Sequence, residues 1–323
     1  MRQGWIDAFE ARAAEFWTPE RTEAVTGGKN VAILPGEAPL LWRAMGLLHR
    51  DASMPPAQVR KYFQINHLLA VLGPALAELR ERHPLVRVLD AGCGRSYFTF
   101  LLAWSFRKHG HPVQVLGVER RAALVEECER RAALTELDDV VRFEAASIDA
   151  LDVDAAFARA FGAEAPVDVH VVASLHACDT ASDDALALGL SRRADLLAVA
   201  PCCQAELAAK WAARADGDGA FGPLFRSPHL RRETAATVTD LMRTLLVRGA
   251  GYDVSALEFV PSEHTPKNTL LRAMRRAPND ASAWAEYAEL RRAMGGCGIA
   301  LEERMPAGPR AELAAALARG HQP

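Results

Sequence analysis

Residues able to do chemistry gather in three stretches of this 323-residue chain. The first, VRVLDAGCGRS, sets Asp90 and Ala91 ahead of Gly92, Cys93 and Gly94. The second is a pair of polar clusters, SLHACDTASDDAL and APCCQAEL, each following an apolar run. The third is PSEHTPKN, with Glu263, His264, Lys267 and Asn268. In the first stretch, the glycines let backbone approach a ligand closely just before a helix begins. Asp90 sits where its carboxylate would repel a pyrophosphate on that helix N-terminus, so a cofactor with a cationic centre fits better. S-adenosylmethionine carries a sulfonium and an ammonium. The dinucleotide pattern G-x-G-x-x-G also fails, because Tyr97 takes its third glycine position.

Further cofactor residues follow from the same logic. Glu119 ends the next apolar run, VQVLGVE, where an acid can accept both ribose hydroxyls; the plainer reading is a solvated helix-start glutamate beside Arg120 and Arg121. Ser147 and Ile148 follow the third run and face the adenine, or simply cap a helix with Asp149 nearby. Cys93 contributes through its backbone more than its sulfur. Ser96 follows the two glycines within the same loop and is a candidate to cap the following helix.

His176 and Asp179 are the first titratable residues after the fourth apolar run, which suits general-base work or positioning of a nucleophile. Thr180, Ser182 and Asp183 read as first-turn residues of the next helix. Cys178, Cys202 and Cys203 with His176 raise a zinc site, but adjacent cysteines lack the spacing of common zinc knuckles. No metal is expected, since a sulfonium is already a good leaving group and the protein supplies proximity. His264, Lys267 and Asn268 are expected to return to the same edge as His176; Lys267 would meet a substrate anion and Asn268 would do the same or tie down its turn. Lys61 and Gln64, on the helix before the glycines, are candidates for the cofactor's carboxylate.

The elements that must position these groups are legible as apolar runs alternating with helical patterns. Residues 57–82 recur at helical spacing and lead into the first strand. VQVLGVE, VVRFEAA, VDVHVVASL and ADLLAVAP are four more strands separated by helices, which implies a parallel, doubly wound sheet. YDVSALEFV and NTLLRAMR are joined by too few residues for a crossover helix and must be antiparallel neighbours. The expected fold is α/β, a Rossmann-like seven-stranded sheet with an antiparallel last strand. DGDGAFGPLFRSPH reads as a loop or lid. The expected organisation is a helical extension over 1–56, a catalytic domain over 57–278, and a helical tail over 279–323 with Trp284, Tyr287 and Leu290 on one face.

Composition bounds the partners only loosely. A net charge of −3 advertises no global field for nucleic acid, while leaving room for a local patch. No run approaches a membrane span. Six cysteines without a secretory signal point to reduced thiols and a cytoplasmic setting.

Taken together, LDAGCG, Glu119, SLHACDTASDDAL and APCC resemble class I S-adenosylmethionine-dependent methyltransferases. The branch is that of the methyltransferase domain in glutathione-S-transferase-C-terminal-domain-containing and methyltransferase-like proteins. The element from His176 to Asp183, with the paired cysteines, is also similar to the tRNA acceptor-stem 2′-O-methyltransferases. Asp179 stands where those relatives often have glycine, and Gln204 where an aromatic residue or histidine is frequent. The resemblance implies methyl transfer from S-adenosylmethionine, with RNA slightly preferred as acceptor over a protein or small molecule; the alternative from another class is a cofactor-binding scaffold that performs no transfer.

Overall fold

The computed structural model describes residues 2–175, 179–215, 220–259, 268–276 and 279–319. It divides into two compact units, Met1–Ser147 with Leu151–Val167, and Ile148–Ala150 with Asp168–Pro323.

The first unit begins with α1 (Arg2–Phe16), α2 (Pro19–Thr26) and α3 (Pro39–Ala44), followed by the long α4 (Pro56–Arg82). Then β1 (Val86–Ala91), α5 (Tyr97–Lys108), β2 (Val113–Glu119), α6 (Ala122–Leu134), β3 (Val141–Ala145) and α7 (Val153–Phe161) alternate. Strands β1, β2 and β3 pair in parallel, with Val88 opposite Val115 and Val115 opposite Val141. Nearly every residue of β1 and β2 is buried, as expected of strands covered on both faces. Gly117 allows close approach of β3: a Cβ there would lie 2.6 Å from the Phe143 ring. The amino-terminal helices belong to this unit. A buried clamp holds their connecting loop to α4, where Asn66 Oδ1 accepts from Ile33 N at 2.7 Å and Tyr62 Oη donates to Ile33 O at 2.7 Å.

In the second unit, β4 (Val171–Ser174), α8 (Ala181–Ser191), β5 (Leu196–Val199), α9 (Glu206–Ala212), α10 (Gly222–Arg226) and α11 (Pro228–Gly249) lead to β6 (Tyr252–Glu258) and β7 (Thr269–Arg275). Strands β4 and β5 are parallel, whereas β7 runs antiparallel to both β5 and β6. The segment expected to be a loop or lid contains the helical turn α10; residues 216–219 lie outside the described residues. The tail, α12 (Ala281–Ala293), α13 (Leu301–Arg304) and α14 (Ala307–Arg319), packs within this unit. Trp284 and Tyr287 are buried as expected and Leu290 is half-buried. The Trp284 ring sits so close to α11 that a Cβ at Gly249 would lie 2.5 Å from it.

Strand order is β3-β2-β1-β4-β5-β7-β6, with the last strand in sequence antiparallel. This is the Rossmann-like sheet expected from the sequence.

Candidate functional site

The donor side is built in the first unit. After β1 the chain turns through Gly92 (φ 73°), Gly94 (φ 55°) and Ser96 (φ 59°), three left-handed residues in five. The N–H groups of Gly92 and Cys93 both donate to Val118 O at 2.9 Å, which pins the loop to β2. A Cβ on Gly94 would meet nothing within 4 Å, so this side of the loop is open to a ligand. Ser96 keeps the backbone geometry of a glycine but does not cap α5 with its side chain. Its hydroxyl instead donates to Cys128 Sγ at 3.1 Å and lies 3.2 Å from Cys93 Sγ, whose thiol can donate to it, beneath the loop. Burial raises both thiols, Cys93 strongly, so both are packing groups and not thiolates.

Glu119 lies at the carboxyl end of β2, almost wholly buried. Burial pushes its carboxyl upward, but Arg121 opposes this through its side chain at 2.8 Å and its backbone N–H at 3.1 Å. The net shift is downward, which keeps Glu119 an anionic acceptor one residue beyond the Val118 carbonyl that pins the glycine loop. Asp90 is a different case. It is buried, and Thr99 Oγ1 on α5 donates to its Oδ2 at 2.5 Å. Desolvation outweighs that bond and pushes its pKa up to about 6. The carboxyl thus serves the join between β1 and α5, a role the sequence did not disclose. Ser147 and Ile148 follow β3 and are half-exposed, Ile148 opening a short 3-10 turn. Lys61 reaches the same loop from α4, its Nζ 3.6 Å from the centre of the Tyr97 ring at the start of α5. The open cradle at Gly94, the ionised acceptor Glu119 and the nearby cation Lys61 fit the adenosine diol and the amino-acid end of S-adenosylmethionine.

In the second unit the candidate acceptor residues are placed as follows. His176, Cys178, His264 and Lys267 lie outside the described residues. Asp179 does not stand as an open base: its Oδ1 accepts the N–H groups of Ala205 (2.9 Å) and Glu206 (3.2 Å), so it caps α9. Its φ of 50° and its N–H bond to Cys203 O at 3.1 Å tie the turn after β4 to the turn after β5. Asn268 is buried and donates to Glu258 Oε1 at 2.7 Å, joining the ends of β6 and β7. Cys202 and Cys203 are half-buried. No group of three or more His, Cys, Asp or Glu is arranged for a metal among the described residues.

A buried ion-pair network organises these turns. Arg243 of α11 is 1% exposed and meets Asp183, which is fully buried, through two bonds of 2.9 and 2.8 Å. The same guanidinium donates to Asp179 O at 2.9 Å and to Asp240 Oδ1 at 3.1 Å, and Asp240 Oδ2 accepts from Gln204 Nε2 at 2.8 Å. The signal available in the sequence was one arginine on the apolar face of α11, among Val238, Thr239, Met242 and Leu246, all buried. Asp183, read as a first-turn residue of α8, is that arginine's partner.

The strand order and the glycine turn define the class, that of the class I methyltransferase fold. Residues 60–210, just under half of the chain, match a family model described as a methyltransferase domain. No curated protein matches the chain. Among solved structures it is similar to the SAH-bound methyltransferase PaMTH1 of Podospora anserina, at 10% identity and TM-score 0.42, over 80% of this chain and 94% of that one. It is also similar to the geranyl diphosphate C-methyltransferase of Streptomyces coelicolor A3(2), at 17% identity and TM-score 0.32, over 94% of each chain. No described helix is long and apolar enough to cross a membrane.

Proposed function

We propose that the chain transfers a methyl group from S-adenosylmethionine to a small acceptor, with residues 57–278 as the catalytic domain and the flanking helices as its extension and tail. The observation that carries the donor assignment is the left-handed turn at Gly92 and Gly94 beside Glu119, which Arg121 holds ionised at the carboxyl end of β2. Glu119 accepts the ribose hydroxyls, the turn lets the donor approach the backbone, and Lys61 answers its carboxylate. The bound donor supplies a methyl on a sulfonium, a leaving group that needs no metal. The protein's part is to align the acceptor and take its proton, a role we assign to His176, with His264 and Lys267 as further acceptor-side groups.

RNA is supported by the likeness of the His176 to Asp183 element to ribose methyltransferases. The net charge of −3, however, gives the chain no global field for a polyanion. Arg231, moreover, is half-buried and donates to Phe225 O at 2.5 Å, which takes it out of any basic rim. A small acceptor is therefore favoured. Labelled S-adenosylmethionine incubated with fractionated cell extract tests both points. Label in the metabolite fraction is the expected result; label confined to RNA would replace the acceptor, and donor binding with no transfer to any fraction would make the chain a scaffold.

A further inference from the structure

Gln204 follows the paired cysteines after β5 and is 7% exposed. Its amide cannot be turned at will. Nε2 faces Asp240 Oδ2 at 2.8 Å, and a carboxylate paired with a guanidinium accepts hydrogen bonds and donates none, so the nitrogen must take that side. Asp240 is in turn held by Arg243, which is locked on Asp183. A chain of charge-assisted bonds thus fixes the other end of the amide. That end, Oε1, is buried and has no hydrogen-bond partner among the described residues.

Two cavities adjoin this side chain. One, of about 410 Å³, is floored by alanines of α9, Ala208, Ala209 and Ala212. The other, of about 310 Å³, lies at the carboxyl end of β5 and is lined by Pro201, Gln204, Thr237, Asp240, Thr244 and Thr269 among others. Thr244 Oγ1 donates to Asp240 O at 2.9 Å and Thr237 Oγ1 donates to Glu233 O at 3.4 Å, so those hydroxyl protons are directed at backbone. With Glu233 also in the lining, the cavity offers mainly acceptors beside the Thr269 hydroxyl, and what would complement Oε1 is a donor.

We propose that Gln204 is the specificity-determining residue of an acceptor subsite in the 310 Å³ cavity, where Oε1 receives an N–H or O–H of a compact, neutral ligand. The subsite rests on the methyltransferase reading for its purpose: a methyl acceptor bears such a proton at its nucleophilic atom or beside it. A buried acceptor discriminates strongly, because an analogue without the donor leaves it unpaired.

The test uses pyrazole, which carries an N–H, and 1-methylpyrazole, which does not, with the full chain. Ligand-observed NMR titration gives affinities, and crystal soaking gives the position. Pyrazole is expected to bind about tenfold more tightly than 1-methylpyrazole, with its N–H on Gln204 Oε1. Gln204→Met should erase that difference while leaving S-adenosylhomocysteine affinity unchanged. The comparison of the two probes on the wild-type chain decides the matter even where the variant fails to fold. Equal affinities, no binding of either probe, or pyrazole seated on Ala208 and Ala212 would each overturn the proposal. Failure of S-adenosylhomocysteine to bind the wild-type chain would instead overturn the methyltransferase reading, and the probe result would still decide Gln204.

Discussion

Replacing Arg243 by methionine removes the guanidinium that neutralises Asp183, the only ion-pair partner it has among the described residues. The arginine is 1% exposed and its partner 0%, so neither charge is screened by solvent. Four bonds are lost: two to Asp183, one to Asp240 and one to the Asp179 carbonyl. Breaking a buried pair from one side costs about 3–5 kcal/mol, because the remaining charge stays buried without compensation. That is a large share of the roughly 5–15 kcal/mol by which a domain is stable. Urea unfolding followed by fluorescence and circular dichroism should show the loss. Adding Asp183→Leu to the same chain should recover part of it, since an apolar pair no longer leaves a charge stranded. Recovery should stay incomplete, because Asp240 and the Asp179 carbonyl still lack their donor. Hydrogen exchange should quicken at 179–184 and 201–206, the two turns the guanidinium joins. A loss below about 1 kcal/mol, or a double variant no better than the single one, would refute the network as the brace of this unit.

Further outcomes follow from the donor side. Asp90 has its pKa raised to about 6 by burial, so the folded chain holds its proton while the unfolded chain has released it near the ordinary value of 3.8. The folded state binds more protons between those values, and wild-type stability therefore falls as pH rises from about 4 to 6 and stays lowered above. Asp90→Asn should match wild type below pH 4 and exceed it by up to about 3 kcal/mol above pH 6, read by denaturation at fixed pH; a flat difference would rule out the titration. Gly94→Ala should cost only about 1 kcal/mol of stability, because its Cβ meets open space and only the left-handed φ of 55° is strained. The same change should weaken S-adenosylhomocysteine by a larger factor, since the added methyl occupies the side left open for the ligand; equal effects on both would place the ligand elsewhere.

The fold could be read closely where chemistry is local. VQVLGVE coincides with β2, Val113–Glu119, because a run of apolar residues ending in an acid has both its burial and its boundary written in it. The antiparallel pairing of β6 and β7 followed from a connection too short for a crossover. Strand β4 starts only at Val171 although the apolar run begins at Val167, whose N–H is taken by Asp154 Oδ1. The site was harder to read because its partners are distant in sequence. Asp179 looked like a base since it follows a strand; that its carboxylate caps a helix beginning at Glu206 depends on how two turns meet. Arg243 and Asp183 are separated by 60 residues, and Asp90 was placed correctly at the end of β1 while its bond to Thr99 on α5 was invisible. Position along a strand is encoded locally; the company a side chain keeps is not.

The most direct measurement of the central claim is calorimetric titration of S-adenosylhomocysteine into the wild-type chain and into Glu119→Gln. The glutamine keeps the shape but loses the charge that Arg121 holds in place, so binding should be clear in the wild type and about tenfold or more weaker in the variant. Binding that is indifferent to Glu119, or a wild-type chain that takes a nicotinamide dinucleotide and not S-adenosylhomocysteine, would contradict the account.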